Sequence, residues 1–565
     1  MDLSWQIIDK FAAKTISAFA DELNVSPALA KVLLNRGIDD IEEARKFYKP
    51  DLNRLHDPFL MHDMKDAVQR IEEAIRLKQN ILIYGDYDVD GTTAISLLLL
   101  FFRQIGIPVE FYVPDRLTEG YGLTRQGIRN VRNAGAELII TVDCGITSRE
   151  EVDYARSLGI DVIICDHHFP GAELPEATAV LNPKRADCSY PFKELAGVGV
   201  AFKLAQALQQ KMNFNAANLF DLLDLVAIGS AADIVPLIDE NRIFVKFGLD
   251  KLNNTSNLGL QALKEITGLA KGCITAGQVV FVLAPRINAV GRLGDAGRAV
   301  RLLTSENKQQ AENIAEILES ENKIRREIDE STLSQALAQI EDLEDPGSQN
   351  VFVLNSDDWH PGVIGIVASR IVERYFRPTV MIATENGSGK GSARSIPGFD
   401  IYQALKSCED LMNSFGGHKY AAGLTIGSQN IPEFRKKLDA VASQSLTAEM
   451  TTPKLWIDAE IALKDIDEML IKLLKRMAPY GPQNMRPVFQ TGALQVVGTP
   501  SIVGNNHLKF KVRQNDVVFN AIGFNLGDLF YRLAPGESDL EMVYSIDENE
   551  WNGKTTIQLK VKDLR

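Results

Sequence analysis

Several residues that can bind metals come directly after short apolar runs in this sequence. The runs at 81–85, 138–142 and 161–165 are rich in Val, Ile and Leu. The residues that follow them are carboxylates and histidines: Asp86, Asp88, Asp90, Asp143, Asp166, His167 and His168. Carboxylate oxygens and imidazole nitrogens are ligands for Mn²⁺ and Mg²⁺. The pattern therefore predicts chemistry that depends on a bound divalent metal.

The apolar runs also predict the elements that position these side chains. Short Val- and Ile-rich runs are typical of buried parallel strands, whose carboxyl ends meet at the edge where open α/β sheets form their sites. Amphipathic segments at 92–102, 124–134 and 148–158 each follow a strand, and Asp233 ends a later apolar run. This alternation predicts a doubly wound parallel sheet between about residues 80 and 240.

Each of these residues also has a purely structural interpretation. A lone Asp at a strand end is more often a helix N-cap than a ligand, and Asp90 before Gly91-Thr92 fits that role. A histidine pair alone is likewise usually structural. Several carboxylates at the end of a buried sheet would repel one another, however, unless a cation or protons neutralise them. The combination therefore favours a metal site.

The rest of the chain divides by the same patterns. Residues 305–343 contain neither Gly nor Pro, which predicts one long helix ended by Asp345-Pro-Gly347. A second α/β block follows, with strands near 351–354 and 379–383, and short strands after about 455 predict a small closed barrel. The predicted division is a helical lead-in (1–75), the parallel-sheet lobe (76–300), a connecting helix (301–345), a smaller α/β lobe (346–450) and the β-barrel (455–565).

The composition is that of an ordinary globular protein. Of 565 residues, 45% are hydrophobic and 24% are charged, and this length predicts about three or four domains. The net charge of −14 argues only weakly against a polyanionic partner, because metal-binding acids contribute to it. Five scattered cysteines without CxxC spacing, no long apolar run and no signal-like start predict a cytoplasmic protein without structural zinc.

Taken in order, these motifs resemble those of the DHH phosphoesterase superfamily. The resemblance rests on the segment 85–91, Asp143, the literal Asp166-His167-His168, Asp233 and the glycine-rich segment 416–423. The order of the motifs, the long linker and the terminal barrel are similar to the RecJ-type single-strand-specific DNA exonucleases. The resemblance covers nearly the whole chain from about residue 45. It implies a DHH catalytic domain, a DHHA1-type substrate-binding domain and an OB-like nucleic-acid-binding domain.

The family pattern also implies roles for the motif residues. Asp143 would bridge two metal positions, and Asp88 would face one of them. The ligands implied for the other position are Asp90, His167 and Asp233. His168 would face the scissile phosphate, and Asp143 and Asp166 complete the implied catalytic set.

One feature of this chain departs from that pattern. Shorter superfamily members have a histidine a few residues before the paired acids, whereas this chain has Tyr84-Gly85-Asp86. Asp86 is therefore expected either to replace that ligand or to hydrogen-bond to a ligand.

The resemblance further suggests residues that contact nucleic acid. The candidates are Arg116, Arg286, Asn288, His360, Ser392, Arg394, Gly416, Gly417, His418 and Lys419. Each has a structural alternative: an arginine can pair with a nearby acid, the glycines can cap a helix, and a glycine-rich loop can simply be solvated. Phe510 and Phe519 lie on barrel strands, where their default role is packing in the core.

The expected function is that of a Mn²⁺- or Mg²⁺-dependent exonuclease that degrades single-stranded DNA from its 5′ end to mononucleotides, in DNA repair and recombination. Direction and product are implied by the family. The expected partners are single-stranded DNA and, by the same implication, single-strand-binding protein and repair helicases, with no membrane. Two alternatives stay open, a phosphodiesterase for short oligonucleotides or cyclic dinucleotides and an inactive replication scaffold. A terminal barrel argues against the first, and intact acids argue against the second.

Overall fold

The computed structural model describes residues 3–116, 118–212, 218–343, 345–533, 539–551 and 554–565. The chain forms two compact units, one containing residues 7–319 and 456–565 and the other containing residues 1–6 and 320–455. Among the described helices, none combines the length and the apolar character that a membrane span requires.

The N-terminal segment is mainly helical, as predicted. Its elements are β1 (Ser4–Ile7), α1 (Ala13–Leu23), α2 (Pro27–Asn35), α3 (Ile41–Tyr48) and α4 (Met64–Leu77). Ser26 and Asp40 cap α2 and α3, since their side chains accept hydrogen bonds from the N–H groups of Leu29 and Glu43. The short strand β1 was not predicted, because it pairs with residues 454–457, far away in the sequence.

The predicted parallel sheet is present in the larger unit. Its elements are β2 (Ile81–Gly85), α5 (Val89–Gln104), β3 (Glu110–Tyr112), α6 (Arg125–Asn133), β4 (Leu138–Val142), α7 (Arg149–Ser157), β5 (Asp161–Cys165), β6 (Ala179–Leu181) and α8 (Gly197–Met212). All pairings are parallel, in the order β3-β2-β4-β5-β6. Strand order therefore reverses between β2 and β4, which is where doubly wound sheets form their binding crevice.

Helices cover both faces of this sheet because its strands are apolar on both faces. Ile83 packs in one buried cluster with Leu98 and Phe202. The adjacent Leu82 packs in a different cluster, which includes Ile128 of α6. Successive residues of a strand point to opposite faces, so the two clusters are the two halves of a doubly wound core.

Further helices complete this part of the chain. They are α9 (Leu223–Ala232), α10 (Asp239–Asn253), α11 (Leu258–Ile266), α12 (Ala276–Gln278), α13 (Ala284–Leu293), α14 (Gly297–Leu303) and α15 (Lys308–Glu341). The last has 34 residues and is the long helix predicted from the absence of Gly and Pro. A π-helical segment, Val279–Leu283, precedes α13.

The smaller unit contains a mixed sheet. Its elements are β7 (Phe352–Ser356), α16 (Ile364–Tyr375), β8 (Thr379–Glu385), β9 (Ser388–Arg394), α17 (Ile401–Lys406), β10 (Met412–His418), β11 (Ala421–Gly427) and α18 (Ile431–Ser445). The strand order is β10-β11-β9-β8-β7, and only β7 and β8 are parallel. The glycine-rich stretch forms strand β9 rather than a loop, because Asn386 and Gly387, both at positive φ, make a tight hairpin turn.

The C-terminal segment forms the predicted barrel. Its elements are β12 (Lys454–Ile457), β13 (Ala459–Glu460), α19 (Glu468–Met477), β14 (Phe489–Val503), β15 (His507–Gln514), β16 (Val517–Gly523), β17 (Leu540–Trp551) and β18 (Lys554–Leu564). Pairing of β14 with β17 closes the order β14-β15-β16-β18-β17 into a five-stranded barrel. Phe510 is buried in its core and Phe519 packs against it, together with Phe19 and Leu29 of the N-terminal helices.

Candidate metal centre

Four aspartates lie at the switch point of the parallel sheet. Asp86 and Asp88 follow β2, and Asp90 lies in the first turn of α5. Asp88 is the N-cap of α5, where its Oδ1 accepts a hydrogen bond of 3.0 Å from Gly91 N. Asp143 follows β4 with φ 59, a left-handed conformation that is uncommon for a residue other than glycine. The two strand ends thus bring their carboxylates to one place.

The N-terminus of α8 holds Asp90. Its Oδ2 accepts a hydrogen bond of 2.6 Å from Gly197 N, and its Oδ1 accepts one of 2.9 Å from Val198 N. Free N–H groups at a helix N-terminus attract anions, so α8 fixes the orientation of this carboxylate. Gly197 also lies close to Asp143, because a Cβ atom at this position would be 2.7 Å from Asp143 Cβ.

His167 is at the centre of the cluster. Its Nε2 is 3.1 Å from Asp143 Oδ1, 3.5 Å from Asp233 Oδ2 and 3.7 Å from Asp90 Oδ2. Asp233 reaches this place from the C-terminal end of α9, and the next residue, Ile234, has φ 60. A β-branched residue at positive φ is strained, so the backbone turns sharply after Asp233.

Within the described residues, potential ligand atoms form three overlapping groups. In each group the atoms lie within 4.8 Å of one another. The groups are Asp86, Asp88 and Asp143; Asp90, His167 and Asp233; and Asp143, His167 and His168. Asp143 and His167 each belong to two groups. The residues of these groups could therefore hold divalent cations.

His168 has its own hydrogen-bonding partners. Its Nδ1 lies 2.8 Å from Asp166 Oδ1, and its Nε2 lies 3.3 Å from the hydroxyl of Tyr121. Asp166 is buried and also accepts hydrogen bonds from the backbone N–H groups of Ile146 and His167. Asn182 donates a hydrogen bond of 2.9 Å to the carbonyl of His168. Both the ring and the backbone of His168 are therefore fixed.

Burial and mutual repulsion raise the pKa values of several carboxylates in the cluster. Burial, followed by the Asp88 charge, raises the pKa of Asp90 to about 7. Burial and neighbouring carboxylates also raise the pKa of Asp86, Asp143 and Asp233 well above the usual value. These four groups would ionise together only if positive charge lay among them.

The pKa values of the two histidines shift in opposite directions. Burial lowers the pKa of His167 to about 3, so its ring is neutral at pH 7 and has a lone pair for a metal. Burial also lowers the pKa of His168, but the Asp166 carboxylate outweighs this effect and raises it to about 9. Although burial raises the pKa of Asp166, its hydrogen bond with His168 brings it down to about 2. His168 is therefore a cation that can face a phosphate.

The donor set fits Mn²⁺ or Mg²⁺. Asp86 Oδ1, Asp143 Oδ1 and His167 Nε2 are buried and have no hydrogen-bond partner. Buried polar atoms normally have a hydrogen-bond partner. A bound cation would satisfy these three acceptor atoms, which lie at one place without such partners. Tyr84 is not part of this set, because its hydroxyl donates to Gly122 O.

Three predicted nucleic-acid contacts lie in the larger unit. The Arg116 guanidinium lies over the Tyr87 ring, 5.1 Å from its centroid, and its charge acts on Asp86. The Arg286 side chain forms an ion pair with Glu319. Asn288 Oδ1 accepts a hydrogen bond of 3.1 Å from Val89 N, so it supports the turn that presents Asp88.

Three other candidates, Ser392, Arg394 and His360, lie in the smaller unit. Arg394 donates a hydrogen bond of 3.0 Å to Ser392 Oγ, so the two side chains share one face of β9. Gly365 of α16 faces this pair, because a Cβ there would be 3.0 Å from each side chain. His360 precedes α16, and its Nδ1 accepts a hydrogen bond from Gly362 N.

The last four candidates lie at the exposed β10–β11 hairpin. Gly416, Gly417, His418 and Lys419 are all exposed. Gly417 has φ 140, and a Cβ there would lie 2.5 Å from Ala421 O, so the hairpin itself requires glycine. A Cβ on Gly416 would meet nothing within 4 Å.

Sequence reasoning did not find several residues that shape the centre. Tyr121 contacts His168, Gly197 holds Asp90, and Asn182 fixes the His168 backbone. A glycine that starts a helix and a tyrosine in a turn are too common to indicate a site. Their roles depend on contacts between segments far apart in the sequence.

Comparisons with known proteins agree with this architecture. The DHH family N-terminal domain matches residues 80–230, the DHHA1 domain matches residues 348–444, and the RecJ OB domain matches residues 457–563. The single-stranded-DNA-specific exonuclease RecJ of Bacillus subtilis is 40% identical over 97% of this chain and 69% of its own length. The chain belongs to the RecJ family.

Solved RecJ structures also have this fold. RecJ of Thermus thermophilus in complex with Mn²⁺ matches with a TM-score of 0.84 and 30% identity, over 100% of this chain and 79% of that one. The same protein in complex with Mg²⁺ matches with a TM-score of 0.79 and 28% identity, over 100% and 78%. The predicted fold class, with two α/β lobes, a long helix and an OB-like barrel, is confirmed.

Proposed function

We propose that this protein is a divalent-metal-dependent exonuclease that hydrolyses single-stranded DNA from the 5′ end and releases mononucleotides. The observation that carries the proposal is the pair of ligand groups, Asp86-Asp88-Asp143 and Asp90-His167-Asp233, in a chain of the RecJ family. The family supports the reaction and the substrate. Polarity and product are proposed from the resemblance.

The chain's own residues suit phosphodiester hydrolysis. When bound, divalent metals polarise phosphoryl oxygens and make water a better nucleophile. Asp86, Asp88, Asp90, Asp143, His167 and Asp233 would hold them. His168, kept protonated by Asp166, can donate a hydrogen bond from Nε2 to an oxygen on which charge develops.

Single-stranded DNA is the proposed substrate and partner, and recruitment by single-strand-binding protein or repair helicases is a further proposal. The exposed β10–β11 hairpin and the pair Ser392 and Arg394 are proposed to contact the strand. The five cysteines are free, which suits a reducing compartment, and we place the protein in the cytoplasm. Co-purification with each partner, in the presence and absence of single-stranded DNA, would test recruitment.

The decisive experiment is digestion of end-labelled single strands by the purified full-length chain with Mn²⁺, Mg²⁺ or chelator. We expect metal-dependent release of a 5′ label as a mononucleotide at the earliest times, and little digestion of duplex. Release of a 3′ label first would contradict the proposed polarity. Hydrolysis limited to di- and trinucleotides would instead favour the small-substrate phosphodiesterase.

Asp143→Ala tests the site itself. We expect a loss of more than about 100-fold in turnover, because Asp143 belongs to two of the three ligand groups and lies 3.1 Å from His167 of the remaining one. Asp153→Ala, on the exposed surface of α7, is the matched control and should keep wild-type activity. Single-strand binding measured in chelator should be unchanged in both variants. Retention of substantial turnover by Asp143→Ala would refute the assignment.

A further inference from the structure

The larger unit contains a second cavity that shares no residue with the metal centre. It has a volume of about 620 Å³ and lies where α2 and α3 meet the N-terminus of α10 and the loop after α19. Pockets of about 300 to 1,000 Å³ are typical of small-molecule sites. None of its lining residues is among the proposed DNA contacts.

The lining of this cavity has an excess of positive charge. Its cations are Arg36, Lys46, Arg54 and Arg242, and its acids are Glu43 and Asp239. The acids are already paired, since Glu43 lies 2.6 Å from Lys46 and Asp239 lies 3.3 Å from His56. When Asp458, which pairs with Arg36, is counted as well, the four cations still outnumber the three acids, and this excess favours an anionic ligand.

Arg36 provides a buried donor without an acceptor. Its side chain is 8% exposed and forms an ion pair of 3.0 Å with Asp458 through Nη1. Its Nε is buried and makes no hydrogen bond. A buried donor left unpaired is unfavourable, and a bound anion would supply the missing acceptor. The adjacent N-terminus of α10 also lacks a side-chain cap, because Ile238 occupies the N-cap.

Arg242 and Phe47 form a wall that is both cationic and apolar. The Arg242 guanidinium lies 4.0 Å from the Phe47 ring centroid and donates to Met477 O at 2.7 Å. Its described hydrogen bonds all go to backbone carbonyls, so no carboxylate among them neutralises its charge. Ile38 and Ile243 extend the apolar part of the lining.

We propose that this cavity binds a nucleoside phosphate. The phosphate of this ligand would accept hydrogen bonds from Arg36, Lys46 and Arg54. The base and sugar would pack against Ile38 and Phe47. The combination of several cationic side chains, one with a buried donor atom that makes no hydrogen bond, and an apolar wall in a cavity of about 620 Å³ fits a nucleoside phosphate better than a simple inorganic anion. The nucleoside phosphate can be a free nucleotide or the terminus of a strand.

The test is calorimetric titration of the full-length protein in chelator. Without metal, the crowded carboxylates of the active centre repel phosphate. Binding at the proposed DNA contacts is separated from binding at the cavity by variants of a residue that lines the cavity. The probes are adenosine and thymidine 5′-mono- and diphosphates, inorganic phosphate, a 5′-phosphorylated oligonucleotide and an acidic peptide. We expect saturable binding of the nucleotides and much weaker binding of inorganic phosphate.

Two variants of α3 give a matched pair. Lys46 and Arg45 are neighbours, and each pairs with an acid three residues earlier, at 2.6 Å and 2.5 Å. Only Lys46 lines the cavity. We expect Lys46→Glu to weaken nucleotide binding at least about tenfold and Arg45→Glu to leave it within about twofold. Thermal unfolding should be alike in the two variants, since both changes are on the surface.

Several results would overturn the proposal. These are no heat of binding for any mononucleotide or for the oligonucleotide, equal weakening by the two variants, or inorganic phosphate binding as tightly as the probes that contain a nucleoside. Tighter binding of the acidic peptide would assign the cavity to a protein partner instead. Binding of the oligonucleotide alone, lost in Lys46→Glu, would identify the strand terminus as the source of the nucleoside phosphate and exclude free nucleotides.

Discussion

Replacing Gly197 with alanine would test whether the metal centre depends on the close approach of α8. A Cβ atom at this position would lie 2.7 Å from Asp143 Cβ and 2.8 Å from Asp143 Oδ1. Ordinary van der Waals contact begins at 3.4 Å, so the first distance is about 0.7 Å too short. Either the Asp143 side chain or the N-terminus of the helix must therefore move.

Both movements would disturb the ligand groups. Gly197 N and Val198 N orient the Asp90 carboxylate at 2.6 Å and 2.9 Å, so a shift of α8 moves Asp90. A shift of Asp143 instead moves a carboxylate that belongs to two of the three ligand groups. Because misplacement of a catalytic group by about 1 Å can cost a factor of about 100, we expect turnover to fall by about 30- to 100-fold.

The assay is the initial rate on 5′-labelled single strands over a range of Mn²⁺ concentrations, with thermal unfolding in parallel. Gly199→Ala is the matched control, because a Cβ there would meet only the Leu195 side chain, at 3.3 Å. Alanine is the better helix former by about 1 kcal/mol, so neither variant should lose its fold through helix propensity. Wild-type turnover in Gly197→Ala would refute the reasoning.

Three other features of the chain can be tested in the same way. In chelator, the raised pKa of Asp90, about 7 against an ordinary 3.8, makes the folded protein bind protons more tightly than the unfolded chain, so stability should fall as pH rises from about 4 to 7. Denaturant titrations at pH 5 and 8 should show this fall, of at most about 3 kcal/mol from this group, and Asp90→Asn should reduce it. Arg394→Ala should slow digestion of 5′-phosphorylated strands about tenfold more than of 5′-hydroxyl strands, with Arg374→Ala as the control; equal losses would exclude recognition of the 5′ phosphate. Tyr121→Phe removes a hydroxyl 3.3 Å from His168 Nε2 and should lower kcat about three- to tenfold with KM unchanged, so an unaltered kcat would show that the contact is incidental.

The central sheet could be predicted from sequence because its signals are local. The runs at 81–85, 138–142 and 161–165 coincide with β2, β4 and β5. A strand that is buried on both faces is apolar at nearly every position. The first polar residue after the apolar run therefore marks the end of the strand. The long helix was predictable for a similar reason, since 34 residues without Gly or Pro have few alternatives to a helix.

Other features depend on segments that meet only in the folded chain. The pairing of β1 with residues 454–457 and the closure of the barrel by β14 and β17 have no signature in either segment alone. Residues 223–232 form helix α9, which is buried on nearly all sides and so lacks the amphipathic period that marks a helix in sequence. Asp233 was therefore expected from its type and position, but the element that carries it was not.

The raised pKa values of the acids at the metal centre also favour an enzyme over an inactive replication scaffold. Four carboxylates with raised pKa values, three of them buried and that of Asp233 half-buried, destabilise the metal-free fold at neutral pH, because each loses water and faces the others. A protein that only binds DNA would gain nothing from this repulsion, and acids near a polyanion would weaken its binding. Divalent cations held by these acids would remove the repulsion and would supply the positive charge that phosphodiester hydrolysis requires. The same residues that make the metal-free protein less stable are therefore those that its proposed reaction needs.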